Sequence, residues 1–485
     1  MAIKTKTILY VGALLYIVVA FSNHAEAATR TWDGGGSDGL CGAGNGNKWS
    51  CAQNWSADTA PVAGDNVVFD GATSTKDSTW DASGAASIRN ATVNSNYSGT
   101  LTMGRDITCT GTWTYSGSNF NAGTYKIILT GTGDGTFTGG SVNYYDLDIA
   151  GVNDVSHTLT FSGTTYVSNN FSVTSGAQLV LNGGTINISG NYISNYAIPG
   201  TGNITHKFVG TGDQTITLNS GGMWNVIVDK PSGSLIFGTD ITVGRNWTWT
   251  NGNLNANNKT FKHSVAAVGA CSWTFTPGNV NYYNFEIVGP GNYTTLTISG
   301  TVNVTNDFIF TSGASTTVNG GTINLSGNFI SNSANSGGTV THKFVGAGNQ
   351  RITTPAGNLW NVIIDKPSGI LSLSGSVSVG GNWIWNRGEV DAGTSTLRFV
   401  GYGGNITPGN VAYYNMTIDL GSGLYIEEHL KGNLIVKNNF TLNGGDQTHF
   451  YSEGNSMYVN NLIMNNAEFN ASSSKVMSDC SAAVS

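Results

Sequence analysis

Residues 302–310 read Val-Asn-Val-Thr-Asn-Asp-Phe-Ile-Phe, and residues 323–331 read Ile-Asn-Leu-Ser-Gly-Asn-Phe-Ile-Ser. In both stretches apolar and polar residues alternate, a three-residue turn signal follows, and an aromatic residue opens a second segment. Alternation predicts short β-strands, and the polar residues between them predict a sharp corner. The corner residues Phe308 and Phe329 are 21 positions apart. A corner that returns at this interval is typical of one coil of a parallel β-helix, whose inward side chains stack on those of the previous coil.

The same corner returns elsewhere in the chain. Phe171 is followed after 21 residues by Tyr192, and Phe440 is followed after 22 by Leu462. We therefore expect an all-β, right-handed parallel β-helix (a solenoid) with an N-terminal capping segment. An array of β-sandwich repeats, with turns every ~8–12 residues, is the alternative. The corner aromatics share their side with Val and Ile, which predicts structural core packing for Trp113, Phe171, Trp247, Phe308, Trp383 and Phe440.

Longer repeats divide the chain. The phrase at 205–210 returns at 341–346, and the phrase at 224–233 returns at 360–369, both with an offset of 136. A shorter marker, Val-Asn-Tyr-Tyr at 142, returns at 280 and, as Val-Ala-Tyr-Tyr, at 411. The expected organisation is a signal peptide (1–27), a cap with the first coils (28–100), repeat unit 1 (101–233), repeat unit 2 (234–369), and a divergent unit 3 with the C-terminal tail (370–485).

The first residues predict export. Lys4 and Lys6 precede a short apolar run, and Ala25-Glu26-Ala27 places small residues where a signal peptidase cleaves. The run is too short for a membrane span, so we expect none in the mature chain and a secreted or cell-surface location. Removing the segment changes the net charge from −7 to −8, which argues against a nucleic-acid partner.

Composition agrees with a solvated sheet. Charged residues are 10% of the chain, and 67 of its 485 residues are glycine. A surface with so few charges must consist largely of Thr, Ser, Asn and Gly, which favour exposed strands and tight turns. At full length such a solenoid has at most about 22 coils and approaches ~100 Å.

Cysteine usage predicts one disulfide. Cys41 and Cys51 lie ten residues apart in a Gly-rich loop and can bridge in an oxidising compartment. Cys109 occupies an inward position of the corner pattern, which predicts a buried thiol. The Cys and His spacings are not those of a zinc site, and we expect neither a metal nor a cofactor.

The start of the mature chain resembles a known class of protein. The resemblance is carried by Thr31-Trp32-Asp33-Gly34-Gly35, Trp49-Ser50, Asn54-Trp55-Ser56, Pro61 and the stretch 64–71. This series is similar to the N-terminal segment of large secreted bacterial β-helix proteins of the autotransporter-passenger and filamentous-adhesin type. The resemblance implies a surface-displayed or secreted rod, adhesive or structural, with a capping first segment. It also implies surface glycans and host or neighbouring-cell surfaces as partners.

The densest group of ionisable residues is Glu427-Glu428-His429 with Lys431. Adjacent residues on a strand face opposite sides, so Glu427 and Glu428 would not work as a catalytic pair. We interpret the group as a solvated turn or rim and predict no catalytic residue.

Two further repeated groups are predicted to be structural. His206 and His342 are repeat equivalents and are interpreted as structural residues. Asp-Lys-Pro-Ser-Gly, at 229 and 365, is interpreted as a β-turn connection.

These observations favour a secreted or cell-surface structural or adhesive protein without catalytic activity. A polysaccharide-active β-helix enzyme, lyase or hydrolase, is one alternative, because that fold supports catalysis in other proteins. An ice- or carbohydrate-binding β-helix is another. It requires a flat outward array of threonines, which Thr158-Leu159-Thr160 suggests.

Overall fold

The computed structural model describes residues 27–478 except 132, 152–156, 176–178, 196–201, 265–270, 290–293, 312–315, 333–336, 355–356, 402, 420–425, 445–447, 471–472 and 474. Strands form 58% of the described residues and helices 2%, and parallel coils stack into a β-solenoid of about 17 turns. The predicted parallel β-helix is confirmed, and the alternative sandwich array is not. The expected signal peptide lies outside the described residues, apart from its last position.

Strand register confirms the coil interval read from the sequence. Phe171 pairs with Tyr192, Phe308 with Phe329, and Phe440 with Leu462, all in parallel ladders. The turns number fewer than the upper bound of 22 because the cap precedes the first coils and some coils are longer than 21 residues, as the pairing of Leu147 with Phe171 shows.

The cap occupies the N-terminal end of the solenoid. It contains a short α-helix, Asp38–Cys41, two 3-10 turns, Ala52–Asn54 and Ser56–Asp58, and a disulfide between Cys41 and Cys51. Four buried indoles pack there, with ring centroids of Trp49 and Trp80 3.6 Å apart. The strands before residue 101 are Thr29–Thr31, Asn66–Phe69, Ser78–Trp80, Ser87–Ile88 and Asn90–Val93.

The remaining described strands are grouped by the three units expected from the sequence, and two of them, Asn225–Phe237 and Asn361–Ser374, extend past the boundary of the unit in which they begin. Those of unit 1 are Leu101–Met103, Ile107–Cys109, Trp113–Tyr115, Phe120–Asn121, Lys126–Leu129, Gly135–Thr138, Asn143–Tyr144, Asp146–Ala150, His157–Ser162, Thr164–Val167, Phe171–Ser175, Leu179–Asn182, Thr185–Ile188, Tyr192–Ser194, Thr205–Phe208, Gln214–Leu218 and Asn225–Phe237. Those of unit 2 are Ile241–Val243, Trp247–Asn255, Thr260–Ser264, Cys271–Thr276, Asn281–Tyr282, Asn284–Val288, Thr294–Ile298, Thr301–Val304, Phe308–Thr311, Thr316–Asn319, Thr322–Leu325, Phe329–Ser331, Gly337–Gly338, Thr341–Phe344, Gln350–Thr353, Asn358–Leu359 and Asn361–Ser374. Those of unit 3 are Ser376–Val379, Trp383–Asp391, Thr396–Val400, Gly404–Thr407, Ala412–Tyr413, Asn415–Asp419, Ile426–Leu430, Leu434–Asn443, Thr448–Tyr451, Met457–Asn465, Glu468–Asn470 and Val476–Ser478.

The corner aromatics lie in the core. The tryptophans among them explain the repeated Val-Asn-Tyr-Tyr marker, which we call the tyrosine marker, because each tryptophan bonds to a tyrosine of that marker. Trp247 Nε1 donates to the hydroxyl of Tyr282 (2.9 Å), which donates to the Pro277 carbonyl (3.1 Å). The buried indole N–H thus has a partner, and the same relay recurs in each unit. The other two relays are Trp113–Tyr144–Gly139 and Trp383–Tyr413–Pro408.

The two longer repeats meet in space to form a buried lysine site. Lys230 is fully buried, and its ammonium donates to the carbonyls of Gly210 and Gly212 and to Gln214 Oε1 at 2.7–2.9 Å. Lys366 makes the equivalent three bonds in unit 2. The interpretation of this segment as a simple β-turn was wrong, because it belongs to strand Asn225–Phe237, whose pairing register shifts between Asp229 and Ser234, and the Lys230 side chain faces inward.

The coil that contains strand Met457–Asn465 leaves apolar residues exposed. Leu462 occupies the corner position, yet it is 39% exposed, and Met464 is 46% exposed. Leu462 covers Phe440 on the preceding coil, and none of the described strands pairs with the 462–464 stretch on its other side. An inward-facing residue is buried only where another coil stacks on it.

Candidate binding face

The tyrosine marker identifies one face of the solenoid in all three units. Phe137, Phe275 and Ile406 each precede the marker by five residues, and all three are buried. Each pairs with an inward residue of the following coil: Phe161, Ile298 or Leu430. The strands that carry these partners are therefore structural equivalents.

The outward residues of these equivalent strands differ between units. Units 1 and 2 place three hydroxyl residues there, whereas unit 3 places an acid, an imidazole and an ammonium. The three sets are Thr158, Thr160 and Ser162; Thr295, Thr297 and Ser299; and Glu427, His429 and Lys431.

Glu427 and His429 lie on a strand rather than in a turn, and Lys431 directly follows that strand. Strand Ile426–Leu430 pairs with strands of the coils on both sides, so the interpretation as a turn or rim was wrong. The expected alternation is confirmed, because Glu428 is 1% exposed while Glu427 and His429 face outward.

His429 lies between two carboxylates. Its Nδ1 is 2.7 Å from Glu453 Oε1, and its Nε2 is 3.5 Å from Glu427 Oε2. Lys431 Nζ contacts both Glu453 oxygens, at 2.6 and 2.5 Å. These bonds, first that of Lys431, lower the pKa of the Glu453 carboxyl.

The next coil adds an aromatic ring. His429 pairs with Tyr451, and their rings stack 5.1 Å apart with an 11° interplanar angle. The Tyr451 hydroxyl donates to Glu427 Oε1 at 3.1 Å. At one side, His449 Nδ1 is 2.9 Å from Glu468 Oε2.

We call this surface the charged platform. Side chains of Glu427, His429, Lys431 and Glu453 are 29–40% exposed, so the groups are held by one another yet reach solvent. The platform consists of Glu427, His429, Lys431, His449, Tyr451, Glu453 and Glu468.

Beneath the platform, Glu428 occupies a core position that is Leu159 in unit 1 and Leu296 in unit 2. Burial raises the pKa of the Glu428 carboxyl to about 8. Its Oε1 has no hydrogen-bond partner among the described residues. The carboxyl is therefore neutral at pH 7 and lies on the opposite side of the strand from the platform.

In units 1 and 2 the same face carries threonine columns. Thr136 pairs with Thr160, and Thr138 pairs with Ser162. The outward array suggested by Thr158-Leu159-Thr160 thus extends over neighbouring coils, and unit 2 repeats it with Thr274 beside Thr297.

The residues predicted from the sequence to form the disulfide or the core lie away from the platform. Cys41 and Cys51 are in the cap. The six corner aromatics, Trp113, Phe171, Trp247, Phe308, Trp383 and Phe440, are at most 1% exposed. His206 and His342 are buried against aromatic rings, with centroids 4.9 Å from Tyr192 and Phe329.

Sequence reasoning missed Tyr451 and Glu453 because they follow Glu427 by more than a full coil. The parallel register brings them to His429 and Lys431. The tyrosine marker was the available signal, since aligning the three units on it shows the change from hydroxyl to ionisable residues.

The described part of the chain contains no group of three or more His, Cys, Asp or Glu side chains that could hold a metal ion. No helix in that part is long and apolar enough to cross a membrane.

Comparison with known proteins adds no relative: no protein-family model, curated protein or solved structure matches the chain.

Proposed function

We propose that this protein is a secreted or cell-surface structural and adhesive rod that acts without catalysis. The supporting observation is the contrast between what the repeat units share and what they change. They share buried interactions that hold coils together, and they differ on one outward face.

The shared interactions serve the scaffold. The tryptophan–tyrosine relay occurs in three units, and the buried lysine site occurs in two. Both provide hydrogen-bond partners for polar groups buried between stacked coils. A long stack of coils needs such partners whether or not the protein catalyses a reaction. Repeating them extends the rod.

The altered face supports a contact role. Units 1 and 2 present hydroxyl groups, and unit 3, which is the farthest of the three from the cap, presents the charged platform. A rod that carries a distinctive outward surface many coils away from its cap is suited to attachment at a distance.

Deleting residues 234–369 tests this proposal. The deletion joins Gly233 to Ile370, the natural neighbour of Gly369, which is the repeat equivalent of Gly233. The register should be retained while about six coils, or ~29 Å, are lost. Small-angle scattering should report the shortening.

Cells that display the full chain should adhere to glycan-coated or cell-coated surfaces better than cells that display the shortened chain. Purified forms of both should bind those surfaces equally, since unit 3 is intact in each. Adhesion equal to that of cells without the protein would refute the proposal.

A second candidate, a polysaccharide-active enzyme, is favoured by one observation. Glu427 and Glu453 flank His429 on an exposed sheet face, a grouping that supports general acid–base chemistry. Release of soluble sugar from a polysaccharide panel, abolished by Glu453→Gln, would favour this enzyme over the adhesive rod.

A further inference from the structure

We propose that the charged platform binds hydroxyl-rich glycan chains that lack acidic groups. This inference rests on the proposed adhesive function and names the ligand class of the rod's binding face. It is drawn from the platform's hydrogen-bonding groups, charge and repeat equivalents.

The platform alternates hydrogen-bond acceptors with donors. Glu427 and Glu453 lie on either side of His429, and Lys431 lies beside Glu453. A sugar hydroxyl both donates and accepts, so neighbouring hydroxyls fit such an alternating surface. Bonds to ionised partners are roughly twice as strong as neutral ones.

The groups are ordered before a ligand arrives. Tyr451 is stacked on His429 and bonded to Glu427, and Glu453 is held by two cations or potential cations. Preorganised side chains lose less conformational entropy on binding. The outward residues of successive coils are ~4.8 Å apart, which suits an extended polymer lying across several coils.

The charge of the platform selects among polymers. Three carboxylates, Glu427, Glu453 and Glu468, are accompanied by one ammonium, Lys431, and by two imidazoles, His429 and His449. An acidic glycan or a nucleic acid would bring like charge against these carboxylates. Neutral and amino-sugar chains avoid this repulsion, and an amino sugar gains charge-assisted bonds.

The repeat equivalence supplies a matched variant. Glu427→Thr, His429→Thr and Lys431→Ser together convert the strand to the outward residues of unit 2, Thr295, Thr297 and Ser299. These hydroxyl residues already occupy the equivalent strand positions, so the triple variant should fold and melt like the wild type. A control with Thr295→Ser and Thr297→Ser retains the unit 2 hydroxyls.

The test is a glycan array carrying neutral, amino-sugar and uronic-acid oligomers, followed by calorimetry with the best binder. We expect binding to neutral or amino-sugar oligomers, at least a tenfold weaker Kd for the triple variant, and no change for the unit 2 control. Preference for uronic-acid oligomers, absence of neutral and amino-sugar binders, or equal binding by the triple variant would overturn the proposal.

The same proteins on beads separate this inference from the proposed function. Beads with the wild-type rod that adhere to cells without any glycan binding would leave the rod adhesive and the glycan assignment wrong. Glycan binding without bead adhesion would reject the adhesive function and retain the ligand class.

Discussion

Acidification should destabilise the solenoid through three buried histidines, His206, His263 and His342. All are at most 3% exposed, and desolvation lowers the pKa of their rings to about 4, 4 and 3 respectively. His206 and His342 lie against aromatic rings, and His263 Nε2 is 2.8 Å from the Arg245 carbonyl. Each ring is therefore neutral in the folded chain at pH 5.

The direction of this pH effect follows from proton uptake by the unfolded chain. An unfolded histidine has a pKa of about 6.5, so between that value and pH 4 the unfolded chain binds more protons than the folded chain. Stability is fully present above pH 6.5 and is lost as pH falls toward the folded-state pKa. The difference between pH 5 and the unfolded-state pKa of about 6.5 corresponds to a loss of about 2 kcal/mol in the free energy of unfolding per histidine, or about 6 kcal/mol for all three.

Glu428 acts in the opposite direction over the same range. Its folded-state pKa is raised to about 8, so its stabilisation is present below about pH 4.5 and is lost as pH rises toward 8. The histidine effect is therefore best measured in a Glu428→Leu background.

Urea unfolding at pH 7.5 and pH 5 measures the change. In that background we expect the free energy of unfolding to fall by about 6 kcal/mol at pH 5, and by about 2 kcal/mol less when His342→Leu is added. A free energy that is the same at both pH values would show that these histidines are not held neutral. Asn66→Ser is the control: it changes an outward side chain that does not titrate, and it should leave the pH dependence of the free energy of unfolding unchanged.

Three other predictions can be tested separately. Glu428→Leu, which restores the residue type of Leu159, should raise the free energy of unfolding at pH 7 by about 3 kcal/mol in urea titrations, and destabilisation would contradict the pKa. Trp247→Ala should lower the free energy of unfolding by about 3–5 kcal/mol and allow protease cleavage near its coil, whereas Trp247→Phe should retain most of the packing. A Trp247→Ala variant that melts like the wild type would contradict the inward assignment. Cys109, fully buried with a pKa raised by burial to about 11, should react with an alkylating reagent only after unfolding, as read by intact mass, whereas rapid labelling of the folded chain would reject its burial.

The coil itself was predictable from sequence because its determinants are local. Alternation and a polar corner fix the inward face, and the 21-residue return of Phe308 at Phe329 fixes the stacking. These signals lie within one or two coils of sequence and do not depend on distant partners.

The buried lysine was not predictable from local pattern. Lys230 lies in a polar phrase with Pro and Gly, and its acceptors are 16–20 residues earlier in the chain. Likewise, Glu428 is an ionisable residue at an inward position, and Leu462 is an inward residue left exposed. In each case the environment is set by the neighbouring coil.

The candidate site was recognised only in part. Glu427, His429 and Lys431 are close in sequence, but their partners Tyr451 and Glu453 come from the next coil. The length of the intervening loop sets which residues meet, and spacing within one strand carries no information about it.

The coil with exposed inward residues determines how the rod responds to tension. Among the described residues, its inward residues Leu462 and Met464 have strand partners on one side only, whereas the cap is cross-linked by Cys41–Cys51. A pull between the cap and residue 478 should unwind coils from the end that carries Leu462. A coil of 22 residues, such as that from Phe440 to Leu462, would release about 70 Å of chain in place of a ~5 Å rise. The rod should therefore lengthen stepwise under load and absorb mechanical work before the cap fails.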